Sequence, residues 1–278
     1  TDDMNRVIVA IVAIVLLICN ACQDNFIDLE NQNGELTTRA ADMKFQHLVQ
    51  QARSGDADAY KSIAVCYRDG DGVEKSWLNM ICMYANYCNK TGENFNNVVE
   101  LFEEGHPFRK VTEILNSSYD RNALKELKQL EMHIPAEVKV IKTVGDMLSK
   151  EVPDSTLRVI QEAENEGSEL AALFQIFYYE ENERTEKYEQ CLERLSGKYP
   201  FLNLKIGEIY IDKYWESKDF SDIQKAMAYY YKADSYAMLT PRYANGLISI
   251  YQHFGEKGML SCDEQEMERL KKIANIKK

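Results

Sequence analysis

Cys19 and Cys22 close an uncharged run, residues 7–18 (VIVAIVAIVLLI), and of all the thiols in the chain they stand where covalent chemistry is easiest to assign. As a Cys-x-x-Cys pair they could exchange disulfides, but that chemistry wants a βα unit around it and an exposed thiolate, whereas here the pair ends an apolar segment. A thiol in that place can instead take up a lipid, and the small residue Ala21 directly before Cys22 favours this second chemistry. Elsewhere the reactive side chains do not gather. His47, His106, His133 and His253 are scattered, and none forms H-E-x-x-H or a metal-spaced Cys/His cluster. Neither a phosphate-cradling G-x-x-x-x-G-K-[ST] nor a G-x-S-x-G elbow is present. Glu103-Glu104 and Glu180-Glu181 are neighbours on helices and so point to diverging sides, which suits a solvated face better than a paired acid and base. Asp69-Gly70-Asp71-Gly72 looks like part of a calcium loop, but Val73 stands where a further oxygen ligand is needed, so the segment reads as a turn. No catalytic residue, metal or cofactor is expected, and the chain reads as non-enzymatic.

The elements that would position Cys22 are all local. Arg6 supplies a basic start after Met4, which reads as the natural first residue, and the twelve apolar residues fall short of the roughly 20 that span a bilayer. Residues 1–21 resemble a bacterial lipoprotein signal peptide, with Ala21 in the small position. Cys19 and Asn20 depart from the apolar and small residues usual before it. The resemblance implies that Cys22 is the lipidated first residue of a mature chain in the bacterial cell envelope. Gln23, in place of the aspartate linked to inner-membrane retention, implies the outer membrane.

Composition narrows the partners. The formal charge is −12, and −11 once residues 1–21 are removed, which excludes nucleic acid as a partner because phosphates demand Lys and Arg. It also weakens contact with anionic lipid except through the covalent anchor. Beyond Cys22 lie Cys66, Cys82, Cys88, Cys191 and Cys262, an odd set. A disulfide among the first three is chemically open in an exported protein, and so is the alternative that each is a small buried hydrophobe.

Residues 22–42 are polar and acidic with little periodicity and read as a tether. The rest, 43–278, reads as helix throughout: about 42–54, 57–69, 75–90, 95–104, 108–117, 120–132, 135–149, 154–166, 168–181, 184–196, 201–216, 221–237, 241–255 and 263–275. Pro107, Pro135, Pro153, Pro200 and Pro241 all fall where apolar periodicity restarts, so they mark junctions or first turns. Ser155, Ser168 and Ser221 are candidate caps. Short connections make successive helices antiparallel neighbours.

Self-similarity turns this series into an array. In residues 52–88, Gly55-Asp56-Ala57-Asp58-Ala59 leads to Ile63-Ala64 and Tyr67, then to the turn Gly70-Asp71-Gly72-Val73, then to Ser76, Met80, Tyr84 and Tyr87. In residues 201–237, Ile206-Gly207-x-x-Tyr210 repeats the first half and Asp222-x-x-Lys225-Ala226-x-x-Tyr229-Tyr230-x-Lys232-Ala233 the second, joined by a longer loop over residues 211–220 that lacks the G-x-G-V turn. Leu247 with Tyr251, and Gly167 with Ala171 and Tyr178 or Tyr179, mark more degenerate units, while residues 106–151 are an atypical helical segment. The two best units resemble the Sel-one-like repeat, a variant of the tetratricopeptide repeat. Ala64 replaces its usual glycine, and Met80 and Tyr87 its usual alanines, which suggests looser packing or an array end. The resemblance implies an all-α, right-handed helix-pair solenoid and an adaptor that binds another protein.

Aromatic density gives that expectation its residues. A helix cannot turn Tyr229, Tyr230 and Tyr231 all inward, so Tyr230, with Tyr229 beside it, reads as core by repeat position and Tyr231 as the surface residue, joined by Trp215 as a partner-binding candidate. Two alternatives stay open. One is a glycan- or peptidoglycan-directed envelope enzyme or regulator using carboxylates such as Glu180 or Asp212, and the other a small-ligand- or glycan-binding lipoprotein using the tyrosines.

Overall fold

A computed structural model describes residues 38–102, 109, 130–140, 154–181 and 185–274. Cys22, the signal segment, the tether up to residue 37, Glu103, Glu104, His106 and most of the atypical 106–151 segment lie outside the described residues. Among the described residues every element is helical. They are α1 (Thr38–Ser54), α2 (Ala57–Asp69), α3 (Trp77–Thr91), a 3-10 helix (Phe95–Leu101), α4 (Asp154–Asn165), α5 (Glu169–Glu181), α6 (Thr185–Leu195), α7 (Leu202–Ser217), α8 (Phe220–Asp234), α9 (Pro241–Gly255) and α10 (Glu264–Ile273), with residues 135–140 helical as well. The described residues are thus all-α with adjacent helices packed in pairs: α2 on α3, α4 on α5, α7 on α8 and α9 on α10.

Several boundaries follow from local chemistry. Asp56 accepts the Asp58 N–H at the start of α2, Ser76 accepts the Asn79 N–H at the start of α3, and Asp263 accepts the Glu266 N–H at the start of α10. Gly70 ends α2 at φ +77° and Gly72 follows at φ +76°, the left-handed geometry that glycine adopts without a Cβ penalty. Two expectations change. α1 starts at Thr38, so residues 38–42, read from polarity as the end of the tether, are helical. The supposed long loop after Tyr210 is instead two further turns of α7, and only Lys218 and Asp219 join α7 to α8. Residues 211–217 (IDKYWES) lack Gly and Pro, so nothing stops the helix until Lys218 takes φ +58° and its N–H bonds the Tyr214 carbonyl. Asp219, rather than Ser221, then caps α8.

The described residues fall into two compact units, one within Asn96–Cys191 and the other drawn from the chain up to Phe95 together with Leu192 onward. α6 runs across the boundary between these segments. In the first unit, buried Glu137 anchors the start of α5, accepting hydrogen bonds from the Ser168 hydroxyl and, at 3.1 Å, from the Glu169 N–H. Ser168 Oγ in turn accepts the Ala171 N–H, the cap its position after Gly167 leads one to expect. The second unit brings the two best repeats together although more than a hundred residues separate them. Asn79 Nδ2 on α3 donates to the Lys198 carbonyl at 2.9 Å, and Arg53 on α1 pairs with Asp234 at the end of α8 at 3.7 Å. A strictly linear array makes only nearest-neighbour contacts, and these two are not of that kind.

Cys66, Cys82, Cys88 and Cys191 are buried, Cys262 is half-buried, and among the described residues none of them is joined to another by a disulfide. Met80 is wholly inside and Tyr87 nearly so, so the bulk that replaces alanine in the first repeat fills its core rather than loosening it.

Candidate interaction surface

Gly207 sets the geometry of α7 against α8. A Cβ there would lie 2.2 Å from Tyr230 Cε1 and 2.6 Å from Cδ1, so only glycine lets the buried Tyr230 ring cross α7 this closely. With Tyr230 turned inward, its neighbour Tyr229 is turned aside and stacks on Tyr210 of α7, ring centroids 5.6 Å apart and planes 11° from parallel. Both rings are half-buried, and the Tyr229 hydroxyl donates to Glu193 at 2.6 Å. Burial first and the Glu193 carboxylate second push the Tyr229 phenol above its usual range, so it stays protonated as the donor.

Lysines surround this stack. The ammonium of Lys213 lies 4.9 Å and that of Lys225 5.2 Å from the Tyr210 centroid, and Lys232 sits 5.9 Å from that of Tyr229. Toward the end of α7, Trp215 is 64% exposed and meets Tyr214 edge-on at 5.6 Å. Lys218 folds back over it, 4.5 Å from the indole centroid, and donates to the Trp215 carbonyl at 2.6 Å. The left-handed turn at Lys218 is what aims this side chain backward.

Of the two residues singled out from sequence, Trp215 is exposed on this face, while Tyr231 is not part of it. Tyr231 is half-buried among α8, α9 and α10, where its hydroxyl bonds that of Tyr251 and reaches Glu266 Oε1 at 3.5 Å. Tyr229, half-buried like Tyr231, is the tyrosine of α8 that lies beside Tyr210. Spacing held the signal: Tyr210 and Lys213 are three apart, Lys225 and Tyr229 four, and Tyr229 and Lys232 three, so each pair shares a helix face.

A second cluster in the same unit had no local signal. Asp234 is 0% and Arg53 5% exposed, with half-buried Glu266 and Arg269 of α10 and buried Tyr60 of α2 close enough to feel their charge. Burial raises the Asp234 carboxyl well above its ordinary range against the opposing pull of Arg53 and Arg269. Burial also draws Arg53 down to about 10, with Asp234 resisting. Neither Asp234 oxygen accepts a hydrogen bond from a protein donor, so the pair is held by charge at 3.7 Å.

The carboxylates weighed for glycan chemistry fall in different units. Glu180 lies on α5 and accepts from the Tyr188 hydroxyl at 3.3 Å, and Asp212 is exposed on α7 in the other unit. In the calcium-like turn Asp69 is forked by Arg68 at 2.7 and 2.8 Å, and Asp71 is paired with Lys44. Among the described residues no group of three or more His, Cys, Asp or Glu side chains is arranged to hold a metal ion, and no helix is long and apolar enough to cross a membrane. Comparison with family models, curated proteins and solved structures gives no match.

Proposed function

We propose that this chain is a helical-repeat adaptor lipoprotein of the bacterial cell envelope, tethered through a lipid on Cys22 and binding another protein with the α7–α8 face. The observation that carries the binding half is the 64% exposed Trp215 beside the half-buried Tyr210–Tyr229 stack, on helices fixed in register by Gly207. Large aromatic side chains on a rigid element lose little conformational freedom on docking and anchor interfaces well. The Sel-one-like repeat pattern and the signal-like residues 1–21 supply the adaptor and anchoring halves, with the outer membrane as the site of attachment.

The experiment replaces Trp215 by a photocrosslinking amino acid in the full chain, with Met43 on α1, also exposed, as the control position. A discrete protein adduct from position 215 and none from position 43 is expected. Equal adducts from both, or none from 215, would overturn the binding half. Metabolic labelling with an alkyne fatty acid tests the anchor: the wild type is labelled and Cys22→Ala is not.

A further inference from the structure

We propose that α1 is a strap held by acid: its C-terminal end is fastened through Arg53 to the buried Asp234 carboxyl, and rising pH slackens the fastening so that α1 lifts while α7 and α8 stay folded. The inference is independent of the interaction reading above. Four ionisable side chains from three helices carry it. Asp234 at the end of α8 is 0% exposed, Arg53 of α1 lies 3.7 Å from it, and Glu266 and Arg269 of α10, paired with each other at 2.9 Å, complete the set. Buried Tyr60 of α2 feels the charges of Asp234, Arg53 and Arg269. Tyr231 of α8 reaches Glu266 at 3.5 Å, and Asp263 before α10 adds a negative charge beside it. His47, the histidine of α1, is exposed.

A carboxylate placed like Asp234 is costly to ionise, because no described residue donates a hydrogen bond to either oxygen and only attraction at 3.7 Å offsets the lost hydration. Its proton removes that cost. Burial accordingly raises the Asp234 carboxyl well above its ordinary range, and burial raises half-buried Glu266 in the same direction against the pull of Arg269. A lifted α1 lets water reach Asp234, which then ionises at its ordinary value, so rising pH favours the lifted state. Arg53, drawn down to about 10 by burial, keeps its charge through the neutral range and adds no opposing step there.

The slack is taken up by α1 because that helix lies outside the four helix pairs and packs chiefly on α2, through Phe45, Val49 and Ala52. Its other end is held by the edge-on contact of Phe45 with Tyr67 and by the exposed Lys44–Asp71 pair. Since α1 follows the tether, its release lengthens the link between an anchor at Cys22 and the repeats.

The test is hydrogen exchange of the full chain read by mass spectrometry between about pH 5 and pH 8, with rates corrected for the intrinsic effect of pH. Residues 43–53 are expected to lose at least about tenfold in protection over that range, while α5 and α7 keep theirs. Asp234→Asn, which keeps the shape and cannot ionise, abolishes the fall, Glu266→Gln reduces it, and His47→Gln leaves it unchanged. Should Asp234→Asn fold poorly, Glu266→Gln and the contrast of α1 with α7 in the wild type still decide. Constant protection of α1, opening of α7 together with α1, a fall that survives Asp234→Asn, or one that vanishes in His47→Gln overturns the proposal. None of these outcomes bears on the crosslink at position 215.

Discussion

The α2–α3 and α7–α8 pairs follow one template and end with opposite surfaces. Ala64 and Gly207 are the small residues, Tyr84 and Tyr230 the buried rings of the second helix, and Tyr67 and Tyr210 the aromatic residues one turn after the small one. Tyr67 is only 2% exposed because Phe45 of α1 meets it edge-on at 5.5 Å, whereas Tyr210 is half-buried and has Tyr229 and lysines for neighbours. Met83, in the place of Tyr229, is wholly buried. One pair therefore spends its aromatic face on the core, and the other keeps it for solvent or a partner. The lesson is that the repeat pattern specifies how two helices meet and says nothing about what covers their outer side.

Four perturbations test how far the pairs depend on one another, the largest effect first. Arg53→Met or Asp234→Leu alone strands a buried charge between the two repeats and is expected to cost about 3–5 kcal/mol in urea unfolding, while the double variant recovers most of the loss or exceeds wild type. The pair also has a pH signature. Because the folded Asp234 carboxyl is raised above its ordinary value of 3.8, the stability it contributes is fully present below that pH and fades as pH rises through its folded value. Asp234→Asn is expected to flatten the fall of Tm with rising pH, and an unchanged slope would remove burial of this carboxyl as its cause.

Next in size is Gly207→Ala. It drives a Cβ into the Tyr230 ring and is expected to cost about 1–3 kcal/mol, read as a lower urea midpoint. The mirror change Ala64→Gly introduces no clash and is expected to cost about 1 kcal/mol from helix propensity and about 1 kcal/mol more from the buried methyl group it removes. An unchanged midpoint in Gly207→Ala would show that the close approach is not peculiar to the second pair. Gly70→Ala follows at about 1 kcal/mol, since its φ of +77° resists a side chain while the obstructing Lys75 can move aside. Smallest is Tyr229→Phe, which breaks a hydrogen bond at an exposed site and is expected to shift stability by under about 1 kcal/mol. It leaves the stack intact, so a large loss would place Tyr229 in the core instead.

Much of the frame was legible from residues alone. Proline positions, apolar periodicity and caps such as Ser168 placed α2, α5 and α9 within a residue or so, because these signals act within one or two turns. The length of α7 departs from the repeat template, which leads one to expect a loop where IDKYWES has no reason to stop. Exclusion from the core of its own helix pair points Tyr231 to the surface, and the structure half-buries it. Its true neighbours, Tyr251 and Glu266, come from α9 and α10, and no window of sequence contains all three.

The sequence by itself determined which residues coil, where the coils end, and which small and aromatic side chains meet inside each pair. Those are contacts between residues close along the chain, fixed by helical period and by the few residue types that cap or turn. Tertiary structure alone decided that Arg53 meets Asp234, that residues 52–88 and 201–237 fall in one unit, and that Tyr210 rather than Tyr67 faces solvent. Each of these depends on which segments, remote along the chain, exclude water from one another, and burial of that kind leaves no periodic trace in either segment alone.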